Sequence, residues 1–406
     1  MNTKHIIIGN GVAGVQAAKN IRKFDSLADI KIFTDEHYLF YSKPRLPELL
    51  AKEITIEETF VFNQSWYQEN NIQIYCNHEI NYVEPGKQTV TLTNKTCFPY
   101  DKLLFATGST SKLPPISGIN TGKGVFTLRT IEDVKRITKY AESSKSAIII
   151  GGGLLGIEAG NGLKKSGLSV TVVEYFDRLL PKQLDSEGSG ILQRQMEDIG
   201  LSFVLGARSS AIKEKENKKV LELMDRDALE CDFILVSAGI VPSCTLAKNA
   251  GISINKGIIV NDYMETNITN IYAAGDVAEH RNTTYGIWPA AHTQGVIAGT
   301  NMAGGHIPYM GTVPSTRLKV AGIHLISVGN ISPEDDTVEQ IKVKYLDKKV
   351  YKKLFIKEGI PVGAIFLGET KNAYELGQII ENKIDISLHK KEILNNDFNI
   401  KKIKTH

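Results

Sequence analysis

Three glycines at positions 9, 11 and 14, directly behind the apolar run Ile6-Ile7-Ile8, have the spacing of a strand that turns into a helix around a dinucleotide pyrophosphate. In the turn Gly9-Asn10-Gly11-Val12-Ala13-Gly14 each glycine meets a different demand: a tight turn, close approach of backbone to pyrophosphate, and close contact of helix with strand. The helix N-terminus then offers N–H donors and a partial positive charge to the phosphates. A second strand, IKIF, ends at Thr34, Asp35 and Glu36, where a carboxylate would take ribose hydroxyls. Glu36 is the first choice for that role and Asp35 the second.

The same parts recur from residue 148. Ile148-Ile149-Ile150 is followed by Gly151, Gly153 and Gly156 with Leu154 and Leu155 between them, then by an apolar helix and the strand SVTVVE ending at Glu174. An acid here favours NADH, because the additional phosphate of NADPH would meet a negative charge; Arg178, four residues on, weakens that preference. A glycine turn with a surface acid is the plainer reading of either stretch alone. Two complete clamps point to two dinucleotides that react with each other, FAD and NADH being the natural pair. FAD is expected on the first clamp and NADH on the second.

Other strands suit that plan. LLFATGS, with Thr107 and Gly108, and ILVSAGIVPS, with Gly239, are buried strands ending in glycine turns, each placed to return beneath one nucleotide. NIYAAGDVAEH carries Gly275 and Asp276; Asp276 either accepts hydrogen bonds from a ribityl chain or is an ordinary turn residue. GIWPAAHTQGVIAG reads as a helix beginning near Pro289, its positive end facing developing negative charge on a flavin. Ile287 and Trp288 would border the ring, although Trp288 equally suits a core, and His292 is expected to face the helix interior.

The order GNGVAG, YSKP, ATGS, LRT, GGGLLG, SAG, GDVAE, WPAA resembles the two-dinucleotide-binding flavoproteins, the FAD-dependent pyridine nucleotide-disulfide oxidoreductase superfamily, over residues 1 to about 312. FYSKPRL and STRLKVAGI are most similar to NADH:rubredoxin oxidoreductases and to the FAD/NAD-binding part of NADH-dependent nitrite reductases. The resemblance implies that Lys43 lies beside the flavin, that Glu158 approaches it from the other domain, and that Val83 and Arg129 contact FAD, the former through its backbone. A Lys43–Glu158 pair would bias protonation near the hydride-accepting nitrogen; Glu158 could equally be a favourably placed acid at a helix N-terminus. Lys319 matches a flavin-adjacent position in the rubredoxin-reducing relatives. Two residues depart from the pattern: Glu48 stands where several relatives have a second flavin-side lysine, and Leu154 where many have an aromatic lid.

Relatives that reduce disulfides or peroxides keep cysteines near the segment held here by Tyr41, Ser42 and Lys43, and this chain has no cysteine before Cys76. Electrons must therefore leave to an outside acceptor. A small acidic electron carrier, rubredoxin above all, is the expected partner; the alternatives are an electron-entry subunit for nitrite reduction, an NADH oxidase, or an NADH-sensing flavoprotein that does not turn over.

The elements that position these residues predict an α/β fold of two Rossmann-like three-layer dinucleotide-binding domains plus a small α+β C-terminal domain. The expected boundaries are 1–112 and 241–312 for the FAD-binding domain, 113–240 for the NAD-binding domain, 313–394 for the C-terminal domain, and 395–406 as a frayed tail. Alternation in VYKKLFIK suits a half-exposed antiparallel sheet. The chain has 406 residues, 42% hydrophobic and 23% charged, as in ordinary globular proteins. No apolar run spans a bilayer, and the chain enters its first strand with no room for a signal peptide, so a cytoplasmic protein is expected. The scattered Cys76, Cys97, Cys231 and Cys244 lack metal-ligand spacing. From Ile341 onward fourteen lysines face eight carboxylates within a chain of net +3. This basic end, joined by Lys319, is either a solvated face or the docking surface for the acidic carrier, with Lys352 and Lys353 as candidates. Without aromatic interleaving or a recognition motif, it does not indicate nucleic acid.

Overall fold

In the computed structural model, which describes residues 2–120 and 123–403, the β-branched run at the start of the chain is the middle of a five-stranded sheet. All its pairs are parallel, in the order Ile271–Ala273, Lys102–Phe105, Lys4–Ile8, Asp29–Phe33, Ile72–Tyr75. A second five-stranded parallel sheet repeats the plan: Ser202–Val204, Ser169–Val173, Ser146–Ile150, Phe233–Val236, Val125–Thr127. Both central strands are continuous isoleucine runs, as sheets buried on both faces require. A helix follows each, Val12–Phe24 and Leu154–Lys165. The helix Trp288–Met302 lies on the first of these almost backbone to backbone. A Cβ on Gly295 or Gly299 would fall 2.4 or 2.3 Å from the carbonyl oxygens of Ala13 and Ala17, so larger residues there would push the helices apart.

The chain divides into two units, each assembled from separated stretches. One comprises Met1–Lys43, Ile56–Thr110 and Ile240–Thr312; the other comprises Pro44–Thr55, Ser111–Gly239 and Val313–His406. The C-terminal stretch thus belongs with the second parallel sheet. It forms an antiparallel sheet in the order Ser315–Val320, Ile323–Gly329, Ile360–Leu367, Val350–Lys357, Glu339–Tyr345, with the helix Ala373–Glu381 against one face.

Three local expectations change. The strand Val350–Lys357 is not half-exposed: only Lys357 is open to solvent, because the strand lies between two neighbours and its other face meets the start of the helix Ser186–Asp198. Residues 395–403 do not fray, since Phe398, Ile400 and Ile403 are buried in the same core as Leu354, Ile356 and Phe366; the rest of the expected tail, 404–406, lies outside the described residues. His292 is exposed rather than turned inward. Among the described residues no helix is long and apolar enough to cross a membrane, and no group of His, Cys, Asp and Glu could hold a metal ion.

One side chain in the first sheet is out of keeping with its strand. His5 is 1% exposed and neither ring nitrogen has a hydrogen-bond partner. Burial, helped by Lys102, lowers its pKa from 6.5 to about 4. The folded ring stays neutral while the unfolded one takes a proton near 6.5, so stability is lost as pH falls from there toward 4, at up to ~1.4 kcal/mol per pH unit. His5→Leu should flatten the dependence of Tm on pH between 7 and 4.5; an unchanged slope would assign the acid sensitivity elsewhere.

Candidate dinucleotide sites

The two glycine turns are built alike. Gly9 and Gly151 have φ of +114° and +117°, and a Cβ on either would lie 2.1 or 2.2 Å from a carbonyl oxygen of the neighbouring strand's extension, Ala106 or Ser237. Gly14 and Gly156 bring helix onto strand, where a Cβ would fall 2.1 and 2.0 Å from the carbonyl oxygens of Gly9 and Gly151. Gly11 and Gly153 differ in kind. Their φ values of −85° and −78° suit any residue, and a Cβ there would meet nothing within 4 Å. The fold has no need of glycine at these two positions; a ligand that touches the backbone does. Each stands at the N-cap of a helix of 13 or 12 residues, so the open space faces unpaired N–H groups and the positive helix end. Donors and space fit a bound dinucleotide pyrophosphate at both turns.

Around the first turn, in one unit, Glu36 is half-buried while Asp35 is exposed. Tyr41 Oη donates to Glu36 Oε2, and Lys43 Nζ sits 2.6 Å from Glu36 Oε1. Lys43 is paired with the carboxylate at the strand end. Gly275, with φ +89°, lies against Ala13 of the turn and donates its N–H to Gln294 Oε1 at 2.9 Å; beside it Asp276 Oδ2 accepts from Ser109 Oγ at 2.7 Å. Val12 is half-buried and Ala13 buried. Thr107 Oγ1 donates to the carbonyl of Ser243 at 2.9 Å, and a Cβ on Gly108 would meet nothing. Trp288, just after Ile287 at the N-cap, stacks on Phe40 at 5.8 Å and remains partly exposed. Val83 is buried in a separate antiparallel ladder opposite Val90.

In the other unit, Glu174 is 6% exposed and each of its oxygens receives a backbone N–H: Gly152 at 2.5 Å and Phe176 at 2.8 Å. Leu154 and Leu155 open the following helix, half-buried. Gly239, with φ +97°, faces open space, and Arg129 precedes the helix Ile131–Ala141, where its backbone N–H bonds Asp133 Oδ2 at 2.8 Å. Lys319 is exposed on its strand, opposite His324.

Glu158 has a partner that sequence reasoning missed. The helix Leu46–Leu50 packs along the helix that carries it, with Gly162 against Ala51 and Lys165 paired with Glu53. Burial, and then Glu48, raise the Glu158 pKa from 4.5 to about 8. The folded carboxyl holds its proton where the unfolded one has lost it, so stability declines as pH rises from about 4.5 through 8. Glu158→Gln should accordingly raise Tm more at pH 8 than at pH 5. Equal shifts at both pH values would show that Glu158 is ionised in the fold.

Residues 3–295 match the family described as "Pyridine nucleotide-disulphide oxidoreductase". This chain belongs to that family. Members are FAD- and NADH-binding flavoprotein oxidoreductases, which accounts for two cradles in one chain. Residues 314–384 match the "Rubredoxin NAD+ reductase C-terminal domain". The chain is 34% identical to the assimilatory nitrate reductase electron transfer subunit of Bacillus subtilis, over 96% of this chain and 50% of that protein. It is 33% identical to the NADH-rubredoxin oxidoreductase of Clostridium acetobutylicum, over 81% of this chain and 82% of that one. The crystal structure of NADH:rubredoxin oxidoreductase from Clostridium acetobutylicum superposes with TM-score 0.79 and 27% identity, covering 98% of this chain and all of that one. The chain spans about half the length of the Bacillus subtilis relatives it matches.

Proposed function

We propose that this flavoprotein takes a hydride from NADH and passes the electrons to a small redox protein, rubredoxin being the leading candidate. The observation that carries this reading is the match of residues 314–384 to the rubredoxin reductase C-terminal domain, on a chain with no cysteine before Cys76. The turn Gly9 to Gly14 holds the FAD pyrophosphate, Glu36 the ribose, and Asp276 the ribityl chain. Tyr41 and Lys43 hydrogen-bond the Glu36 carboxylate and aim it, and Ser109 does the same for Asp276. Gly151 to Gly156 and Glu174 hold NADH. Bound in its cradle, FAD supplies a ring that accepts a hydride and releases electrons singly. Glu158, protonated at neutral pH by its burial, keeps a negative charge away from its surroundings. Val83, Arg129 and Lys319 are assigned to the flavin by resemblance, and Ile287 and Trp288 by their place at the start of the helix Trp288–Met302.

The docking surface needs redrawing. Of the fourteen lysines beyond Ile341, Lys342 and Lys344 pair with Glu187, Lys349 with Asp198, Lys353 with Asp185, Lys357 with Asp335 and Lys390 with Glu339. Lys352 is 2% exposed and bonds Asn396. These ion pairs cancel most of the local charge, so Lys352 and Lys353 cannot receive a partner. Exposed Lys319 keeps its candidacy.

A second reading, electron entry to nitrate or nitrite reduction, is favoured by the likeness to the Bacillus subtilis subunit along nearly the whole chain. An anaerobic acceptor panel separates the readings. NADH should bleach the flavin rapidly, and rubredoxin should reoxidise it at least ~10-fold faster than ferredoxin, a haem-bearing nitrite reductase subunit, peroxide or, admitted last, oxygen. Fastest reoxidation by the haem subunit would support the second reading, by oxygen an NADH oxidase, and slow reoxidation by all a sensor.

A further inference from the structure

One buried polar side chain in the helix Trp288–Met302 stands among apolar neighbours. Gln294 is 1% exposed, and the residues three and four places away on its face, Ala290, Ala291, Ile297 and Ala298, are all buried and apolar. The helix alone would be served as well by leucine or methionine. Only one end of the amide is used: Oε1 accepts the Gly275 N–H at 2.9 Å, whereas Nε2 is enclosed without a hydrogen-bond partner among the described residues. An enclosed, unpaired N–H group is unfavourable, so the residue is placed there for its oxygen. Near the amide lies the fully buried Tyr309, whose pKa is raised by burial, an effect partly offset by the Thr312 hydroxyl and by Gln294 itself.

The Gly275 N–H needs that oxygen because the sheet has ended. Ala274 N–H makes the last bond to the neighbouring strand, to the Phe105 carbonyl at 3.0 Å, and the next N–H must find its acceptor elsewhere. Gly275 is fixed on its other sides too: its φ is +89°, its carbonyl accepts Ala278 N–H at 3.0 Å, and a Cβ on it would fall 3.0 Å from that of Ala13 in the first glycine turn. Asp276 follows directly, Oδ2 accepting from Ser109 Oγ at 2.7 Å.

We infer that Gln294 is a positioning residue for the flavin: it fixes the Gly275–Asp276 turn, so that the Asp276 carboxylate meets the ribityl chain in one orientation. Ser109 orients an oxygen of that carboxylate, and Gln294 sets the backbone from which it projects. An acceptor held in place before binding spares the complex the ordering of a mobile turn.

This role rests on the first glycine turn holding FAD, and a double-mutant cycle tests the two claims apart. Release of FAD from the purified holoprotein is followed by the rise of free-flavin fluorescence after dilution, and unfolding by circular dichroism of the same samples. Gln294→Met, which keeps the volume and loses the acceptor, should release FAD at least ~10-fold faster than wild type. Gln294→Glu keeps an acceptor oxygen in the same place and should stay within ~3-fold of wild type. Should Gln294→Met unfold early, Gln294→Asn, one methylene short of Gly275, should move release the same way. Asp276→Ala should also release FAD at least ~10-fold faster, and adding Gln294→Met to it should change release by less than ~2-fold, since no carboxylate is left to position. Release as slow as wild type from Gln294→Met, release as fast from Gln294→Glu as from Gln294→Met, or losses that multiply in the double variant overturn the positioning role. Full retention of FAD by Asp276→Ala or by Gly11→Leu would instead remove the flavin site on which it rests.

Discussion

Gly11→Leu should yield folded, colourless protein, whereas Gly153→Leu should yield folded, yellow protein that NADH no longer bleaches. Both positions have ordinary backbone angles and a Cβ at either meets nothing of the protein, so the substitution costs the fold little. What a leucine would occupy is the space into which the helix N-terminus points. Loss of close backbone contact with a pyrophosphate should cost at least ~2.7 kcal/mol, or 100-fold in affinity. Absorbance of the purified proteins and anaerobic bleaching on mixing with NADH check the pair. Exchange of the two outcomes would reverse the order of cofactors, and two yellow, bleachable proteins would remove both cradles. Substitution at Gly9, Gly14, Gly151 or Gly156 does not discriminate, because a Cβ there lies near 2 Å from a carbonyl oxygen and the fold itself must yield.

Asp185→Ala should destabilise the protein strongly where the helix Ser186–Asp198 meets the C-terminal sheet. Asp185 caps the helix Ser186–Asp198, accepting from Gly188 N–H at 2.9 Å, and its other oxygen takes Tyr351 Oη at 2.6 Å and Lys353 Nζ at 2.7 Å. Burial pushes its pKa up, but Lys353, Tyr351 and the Gly188 N–H outweigh that and hold it below the usual carboxylate range. Removing the carboxylate strands a lysine that is 14% exposed and a tyrosine hydroxyl in a fully buried side chain, at ~3 kcal/mol or more. Denaturant midpoints should fall accordingly. Removing both charges, as in Asp185→Ala with Lys353→Met, should recover much of the loss, whereas additive losses would show that the pair does not interact. Because the folded pKa is depressed, this contribution is present at neutral pH and disappears as pH falls through the acid range.

Much of the fold was legible along the chain because its signals are local. Isoleucine runs followed by glycines at fixed offsets state a buried strand, a tight turn and a helix within fifteen residues, and both cradles could be placed on that basis alone. The carboxylates ending the second strand of each sheet were equally legible, since register follows from strand length. Tertiary structure decided what depends on partners distant in sequence. Lys352 looks like a surface charge in an alternating strand, yet neighbours on both sides bury it against Asn396, more than forty residues on. The basic C-terminal end reads as a docking face until Asp185, Glu187 and Asp198, more than 140 residues earlier in the chain, neutralise it, and charge counting along a chain cannot see such pairing. Lys43 pairs with Glu36 because a turn returns it to the strand end, and Glu48 faces Glu158 because two helices pack through a glycine. The sequence by itself determined the two glycine turns between strand and helix; only the packing of distant segments decided which side chains are buried or paired beside them, because electrostatics depends on separation in space and not along the chain.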